Sequence, residues 1–479
     1  MSDPALVRGL ALMVPVAAVL AAAARRRPGE REVAAVILAT AWNLLTLAAV
    51  NALAAHLGWW RFQAEGAVYR GVPLDLLLGW ALLWGALPAL VAPRTPLPLT
   101  AAVTAWLDLA VMPLGEPVVV LGEHWLAGES AAIAVCLVPG LLLARWTLDD
   151  RALFARSLTQ VVLAGGLGVV LPVALTGVWR QPGWALGLLV QALAVPLLLG
   201  VAAAREFAVS GRGTPLPYDP PRRLVTTGPY GYVRNPMQVS MAGAYLVLGV
   251  FDARFLAAAP VVVAYGAGLA AWHEGEQLAG RFGAEWADYR RAVRPWVPRL
   301  RPVMPPASVY VAAGCSTCSE VGRWIVARRP SGLRVPAAED HPGGLRRITY
   351  ERADGQAFQG VAAVAHVLTH IHLGWALAGW LLMLPGITWF AQLCVDAFGY
   401  GPRPPRPPYR PSPEKPSAER TSAERTSAER TSAERTSAER TSAERTGPER
   451  SSAEGPGPEG RERPGSSRRS RGAAPGGAR

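Results

Sequence analysis

Long apolar runs govern what this chain can become. About nine of them, residues 5–24, 33–56, 72–92, 97–114, 127–144, 157–178, 184–204, 237–251 and 255–272, carry at most one charged residue each. A stretch of about 20 apolar residues carries a helix across the hydrocarbon core of a bilayer. Only 17% of the 479 residues are charged, against about a quarter in ordinary soluble proteins. The runs therefore predict an all-α polytopic membrane domain of about nine transmembrane helices. The eighth run is short and passes through residues 251–254 into the ninth, which predicts a tight hairpin. No small-residue cleavage site follows the first run; Arg25, Arg26 and Arg27 come next and read as a cytoplasmic stop rather than the end of a signal peptide.

Arginine placement sets the expected orientation. With the loop 25–32 inside, Arg94, the segment 145–156 and the long loop 205–235 also fall inside. The loop 115–129, with Glu116, Glu123 and Glu129 and no arginine, falls outside. Arg61, Arg70 and Arg180 lie on the opposite side from the rule. The N-terminus is then outside, and everything after residue 272 is cytoplasmic. Polar residues inside or beside the runs are Asn43, Asn51, His56, Asp75 and Asp108. Asp75, just after Pro73, reads as a helix cap near the interface. Asp108 lies deeper, and an intramembrane carboxylate marks a functional candidate.

The net charge of +13 comes from arginine, Lys415 being the single lysine, and it resides in loops and the tail. No recognition helix, zinc spacing or aromatic stacking platform accompanies it, so nucleic acid is not an expected partner. Four cysteines, Cys136, Cys315, Cys318 and Cys394, are too few and too scattered for a disulfide scaffold.

The loop entering the eighth run reads Arg222-Arg-Leu-Val-Thr-Thr-Gly-Pro-Tyr-Gly-Tyr-Val-Arg-Asn-Pro-Met-Gln. Gly228-Pro229 predicts a turn, and Pro236 suits a first helical turn with Asn235 as its N-cap. Tyr230, Tyr232 and Arg234 then sit on a short rigid connector. After the hairpin come His273-Glu274-Gly275-Glu276-Gln277-Leu278, Arg281-Phe282-Gly283, Trp286, Tyr289, Val293 and Trp296-Val297-Pro298, with apolar residues at helical spacing. For Tyr230, Tyr232 or Trp296 taken singly, an interfacial aromatic anchor is the bland alternative.

In order and spacing, this pair of segments resembles the isoprenylcysteine carboxyl methyltransferase and phospholipid methyltransferase superfamily of membrane enzymes. The match spans Arg222 to Pro298. The resemblance implies S-adenosyl-L-methionine at the cytoplasmic face, held by Arg222, Arg223, Leu224, Val225, Tyr230, Asn235, Pro236, Met237, Gln238 and Glu274. Arg234 and Asn235 stand as the candidate catalytic residues, and the implied acceptor is a membrane lipid or small lipidic molecule. Methyl transfer from a sulfonium to a carboxylate is in-line displacement, which needs alignment and dehydration more than a base. Four positions depart from the family pattern. Asn235 replaces a histidine, Gln238 a tyrosine, Gly275 a second glutamate, and Ala270 an arginine one helical turn before the glutamate. The resemblance therefore carries further for the cofactor than for a prenylcysteine substrate.

Beyond a Pro-rich linker at 301–306, the run from Ser308 to Cys318 reads as strand, Gly turn and helix start, with Cys315 and Cys318 at a helix N-terminus. That placement favours a thiolate. Residues 347–355 read as strand and turn, 360–368 as a helix, and 375–384 as a buried helix rather than a span. The stretch resembles the small thioredoxin-like proteins of the DCC family of predicted thiol-disulfide oxidoreductases, with Ala312 and Ala313 at the usual aspartate and glycine positions. It implies redox residues Cys315 and Cys318 and a redox partner. His366, His370 and His372 could add zinc ligands, but solvated or capping histidines are the better reading, and no metal is expected.

From Arg403 onward no core is available. Six copies of Ser-Ala-Glu-Arg-Thr fill 417–446, and a period of five matches neither a helical face nor a solenoid, so a disordered tail is expected. The expected organisation is N-terminal transmembrane helices 1–204, a methyltransferase-like segment with its hairpin 205–300, a cytoplasmic α/β thioredoxin-like domain 307–404 and a tail 405–479. The leading expectation is an S-adenosylmethionine-dependent methyltransferase. A membrane-tethered thiol-disulfide oxidoreductase and a non-catalytic membrane scaffold are the alternatives.

Overall fold

The structure is a computed structural model describing residues 3–116, 118–216, 218–265 and 271–402, with the side chains of 265 and 271–274 outside that description. The expected disordered tail and Ala270 fall outside the described residues. The chain is mostly helical, and among the described residues seven helices are long and apolar enough to cross a membrane. These are α1 (Pro4–Arg26), α2 (Glu30–Ala54), α3 (Leu74–Val91), α4 (Leu97–Gly115), α5 (Trp125–Leu148), α6 (Leu153–Thr176) and α7 (Gly183–Gly211).

Local sequence accounts for their ends and bends. The Asp3 carboxylate accepts the Ala5 N–H at 3.0 Å to start α1, Pro4 occupies its first turn, and Arg25 and Arg26 close it against the helix dipole. Three spans widen into a π-turn just ahead of an internal proline. Residues Leu82–Ala86 precede Pro88, Ile133–Leu137 precede Pro139, and Gly166–Val170 precede Pro172. Proline lacks an N–H and collides with the carbonyl four residues back, so widening that turn keeps the helix continuous across the break.

Seven of the nine expected runs form these helices among the described residues. The expected eighth and ninth are the arms of a hairpin, α8 (Pro236–Gly249, 14 residues) and α9 (Ala253–Tyr265, 13 residues). At 1.5 Å per residue each described arm covers about 20 Å, less than the ~30 Å hydrocarbon core. The hairpin packs on α6 and α7 through Val169, Leu189, Leu193, Ala244, Leu248 and Phe255. Asp75 is corrected from its expected role as a cap. Pro73 occupies the N-cap position of α3, while Asp75 sits in the first turn and pairs with Arg8 of α1 at 2.7 Å. One face of the bundle also carries short strands that were not foreseen, β1 (Trp60–Phe62), β2 (Val68–Tyr69), β3 (Val72–Pro73) and β4 (Val119–Leu121), with β1 paired to β4 and β2 to β3.

Helix α10 (Ala271–Ala292) bends at Gly283, whose φ is +48°. A four-stranded sheet follows, built of β5 (Ala307–Tyr310), β6 (Leu333–Arg334), β7 (Thr349–Arg352) and β8 (Ala357–Gln359) in the order β6-β5-β7-β8. Strands β5 and β6 are parallel, and β7 is antiparallel to both β5 and β8. Helices α11 (Ser316–Ala327) and α12 (Val361–Leu368) pack on it around Val309, Ile325, Tyr350, Ala363 and Val367. Helix α13 (Leu373–Leu382) is bent by 87° from the following helical stretch Pro385–Tyr400, and the two together are apolar enough for one further span. Its buried face, Ala376 and Trp380, rests on Ala202 of α7 and on Tyr232, tying the sheet module to the helical bundle.

Candidate functional site

The connector between α7 and α8 is clamped from both sides. Gly228 has φ +60°, and a Cβ there would lie 3.0 Å from the Glu206 side chain, so both the backbone region and the close approach demand glycine. Pro229 follows in a single 3-10 turn, Gly228–Gly231. Main-chain hydrogen bonds then pin the connector to the segment after α10. Arg234 N–H donates to Arg294 O at 2.8 Å, Arg299 N–H to Tyr232 O at 2.9 Å, and Val303 N–H to Gly231 O at 2.9 Å. Tyr232 is fully buried, donates to Thr369 O at 2.9 Å and meets Trp380 edge-on at 5.6 Å. It is a core residue joining the modules, not a membrane-interface anchor.

A cavity of about 320 Å³ opens where the connector meets α7, α8 and α10, within the size range of small-molecule sites. Its wall collects Leu224, Val225, Tyr230, Arg234, Asn235, Pro236, Met237 and Gln238 of the expected set. Asn235 does stand at the N-cap of α8, but its side chain makes no capping bond. The Val239 N–H bonds the Asn235 main-chain carbonyl at 3.0 Å instead, which leaves the side chain to the cavity wall. Arg222 and Arg223 are not in that wall. The Arg222 guanidinium is largely exposed and turns to Asp150, while the main-chain N–H groups of both arginines bond Gly211 O. The side chain of Glu274 lies outside the described residues; its neighbour Gly275 lines the cavity.

The opposite wall was only partly legible. Phe207, the last turn of α7, lies 6.0 Å from the Tyr230 ring, and Tyr289 donates its hydroxyl to Tyr230 O at 3.0 Å. Burial holds the Tyr289 phenol well above its ordinary range. Trp286 packs beside Tyr289 at 5.8 Å, with the Arg234 and Arg290 guanidinium carbons 5.8 and 6.0 Å from its ring centre. The roof, 214–216 and 220–221, is fixed by Asp219, which pairs at 2.7 Å with Arg156, a fully buried arginine of α6 that also holds Asp150 at 2.8 Å. Burial alone would raise the Asp150 carboxyl, but Arg31, Arg156 and Arg222 around it hold it below the usual carboxylate range. Arg156 and Asp150 are near neighbours in the chain, but nothing local in the sequence links them to Asp219, which the loop after α7 brings to Arg156.

Two buried polar atoms in the cavity wall, Gln238 Oε1 and Trp286 Nε1, have no hydrogen-bond partner among the described residues. Buried polar groups are nearly always paired, so an acceptor and a donor waiting at one cavity are features of a ligand site. The donor set suits S-adenosylmethionine. The faces of Phe207, Tyr230 and Trp286 suit a sulfonium or an adenine ring, Arg234 and Arg290 suit a carboxylate, and Gln238 can accept from an amine or hydroxyl.

A second cavity, about 360 Å³, lies at the start of α11 and is lined by Cys315, Cys318, Glu339, Arg347 and Gln392 among others. Cys315 caps α11, its Sγ accepting the Cys318 N–H at 3.4 Å. The Glu339 carboxylate accepts the Ala313 and Gly314 N–H groups at 3.1 and 3.3 Å. The downstream histidines are corrected. His366 and His370 are buried, not solvated, and only His372 caps a helix, accepting the Gly374 N–H at 3.1 Å. His366 stacks on Tyr350 at 5.0 Å, and His370 bonds Tyr350 Oη at 2.8 Å and Ser331 O at 2.6 Å. Burial pushes their pKa values down to about 3 and about 4. Among the described residues there is no group of three or more side chains able to hold a metal ion.

The sheet module and the helical bundle meet in a network absent from the sequence expectations. Arg352 of β7 pairs with Glu206 of α7 at 2.8 Å and bonds Ser210 Oγ at 2.8 Å. Thr227, just before Gly228, bonds both Arg352 and Glu206. Compared with protein-family models, with curated proteins and with solved structures, the chain finds no match in any of the three.

Proposed function

We propose that this chain is an integral membrane S-adenosylmethionine-dependent methyltransferase acting on a lipidic or membrane-partitioned acceptor, with carboxyl O-methylation favoured. The observation that carries the reading is the convergence of Leu224, Val225, Tyr230 and residues 234–238 on one cavity whose buried Gln238 Oε1 and Trp286 Nε1 lack partners among the described residues. When bound, S-adenosylmethionine supplies an electrophilic methyl group on a positively charged sulfur. Tyr230, Phe207 and Trp286 offer aromatic faces to that charge. Gln238 and Trp286 orient the ligand through one acceptor and one donor. Arg234 and Arg290 neutralise a carboxylate, either that of the cofactor or that of an acceptor awaiting methylation. The roof formed by 214–216 and 220–221 and the aromatic wall exclude water, and a displacement that cancels opposite charges gains from a dry site. The positive-inside distribution supports a cytoplasmic position for this cavity.

Equilibrium dialysis of the purified full chain with tritiated S-adenosylmethionine tests the reading. Saturable binding is expected, weakened about tenfold in Gln238→Leu, the loss of one hydrogen bond worth about 1–1.5 kcal/mol. Tyr230→Ala and Glu274→Ala should weaken it further. Absence of saturable binding, or binding indifferent to all three substitutions, refutes the cofactor assignment. Labelled-methyl transfer into a lipid extract of the native membrane then identifies the acceptor.

A second reading, a membrane-tethered thiol-disulfide oxidoreductase, is favoured by the Cys315–Cys318 cap and its adjoining cavity. The sheet order β6-β5-β7-β8, with helices after β5 and β8, is compatible with a thioredoxin-like arrangement and supports Cys315 as the attacking thiol in this reading. If Cys315 alkylates with an ordinary thiol pH profile and Cys315→Ser leaves thiol exchange unchanged, the redox reading fails.

A further inference from the structure

We propose that α14 (Pro385–Val395) is a membrane-docking helix, lying in the plane of the bilayer with its outer face among the acyl chains of the leaflet where α7 ends. This surface is separate from the methyl-transfer cavity and does not depend on that reading. The amphipathicity of α14 is inverted. Its polar side chains turn inward. Gln392 Oε1 accepts the Val361 N–H at 2.9 Å, Gln392 Nε2 donates to Asp396 Oδ1 at 2.8 Å, and Asp396, just beyond the helix, pairs with Arg347. Its large apolar side chains turn outward. Trp389 is 67% exposed, Phe390 63%, Leu393 47% and, past the helix end, Phe398 81%. The surface helix of a water-soluble domain shows the reverse pattern, so a bare aromatic face opposite a satisfied polar one calls for an apolar medium. No Asp, Glu, Lys or Arg occurs from Leu373 to Val395.

Lipid is the occupant because this face continues the surface of a span. Ala376, Leu377 and Trp380 of α13, the helix leading into α14, share a packed cluster with Leu198, Leu199 and Ala202 of α7. Those three residues belong to the uncharged stretch of α7 from Gly183 to Ala204. At the elbow between α13 and α14, Met383 Sδ lies 3.8 Å from a guanidinium nitrogen of Arg205, the first charged residue along α7. The elbow therefore sits at the boundary between hydrocarbon and head groups. Helix α14 does not cross from there. The chain turns by 87° at the elbow, and the 11 residues of α14 measure about 16 Å against a hydrocarbon core of ~30 Å. Its inner face is also bonded to the polar sheet module. Cationic and aromatic groups rim the face, as head-group level favours. The Arg328 guanidinium carbon lies 5.7 Å from the Trp375 ring centre. Arg403, Arg406 and Arg410 follow in the sequence with no acidic residue between Asp396 and Glu414, a charge pattern complementary to anionic phospholipid. Gln392 and Val395 also wall the Cys315–Cys318 cavity, so docking of α14 holds that cavity at the leaflet.

The test uses the full chain in nanodiscs of phosphatidylcholine and phosphatidylglycerol, doped with a phosphatidylcholine that carries a diazirine in its acyl chain. After irradiation, peptide mass spectrometry maps the adducts. Adducts are expected on Trp389, Phe390, Leu393 or Phe398, at a yield comparable to that on the exposed Val103 and Leu107 of α4. The yield should be at least about tenfold above that on the exposed turn 353–355 of the sheet module. Trp389→Glu combined with Phe390→Glu puts two carboxylates on the docking face. Adducts on 385–400 should then fall at least about tenfold while those on α4 stay unchanged. Adducts on 385–400 no more frequent than on 353–355 overturn the proposal, whether the face meets water or, with two chains per disc, a second copy. Adducts undiminished in the double variant overturn it as well. Should the double variant fail to fold, the adduct pattern of the unaltered chain decides the matter alone.

Discussion

Replacing Arg352 with alanine should uncouple the sheet module from the helical bundle. The Arg352 and Glu206 side chains are only 7% and 4% exposed, and their 2.8 Å pair is reinforced by Ser210 Oγ, 2.5 Å from Glu206, and by Thr227. Removing one partner of such a pair leaves the other charge buried and uncompensated, at a cost of about 3–5 kcal/mol. That cost falls on local opening, because the pair is the main polar tie between β7 and α7. In hydrogen exchange on the full chain in detergent, amides of β7 and of the Thr227–Asn235 connector should lose roughly two to three and a half orders of magnitude of protection. S-adenosylmethionine affinity should fall as well, since Thr227 precedes the turn that presents Tyr230. Adding Glu206→Gln removes the orphaned charge, so the double variant should recover much of the loss. A loss of less than about tenfold from Arg352→Ala, or strict additivity in the double variant, refutes this account of the interface.

Acidification should weaken the sheet module through its histidines. His366 and His370 have folded pKa values near 3 and 4, against about 6.5 in an unfolded chain. Both are essentially neutral in both states above about pH 7.5, so they impose almost no pH dependence there. Between about pH 6 and 4.5 the unfolded state binds up to two more protons, and stability should fall by as much as about 2.7 kcal/mol per pH unit. His366→Asn with His370→Asn should flatten the slope of module stability over that window; an unchanged slope would count against the burial argument. Gly228→Ala must hold a Cβ at φ +60° against Glu206, which should destabilise the connector by about 1–2 kcal/mol. Thermal unfolding followed by fluorescence in detergent checks this, and an unshifted transition would show that the turn tolerates a side chain.

Local chemistry was well recorded in the chain. The seven long spans, the Gly228-Pro229 turn, the helix start at Pro236 and the strand-turn-helix around Cys315 each depend on a few neighbouring residues. Apolar run length, proline and glycine report those directly. The hairpin of α8 and α9 was legible from the short run 237–251 and the break at 251–254, whereas its packing on α6 and α7 was not. Run length also hid the strands of 60–73, which sit at the edges of apolar runs. The candidate cavity was legible along one wall, where residues 224–238 are contiguous.

The sequence by itself determined a membrane-embedded helical chain with a proline-and-glycine connector and a Cys-x-x-Cys helix cap, since these follow from hydrophobic length and backbone stereochemistry. Tertiary structure alone decided that Asn235 faces a cavity instead of capping its helix, that Arg222 turns away to Asp150, and that His366 and His370 are buried. It also decided the pairings of Arg352 with Glu206 and of Asp108 with Glu129. Each of these joins residues far apart in the chain, and a polar side chain's partner is fixed by which buried groups the packing leaves in need of one.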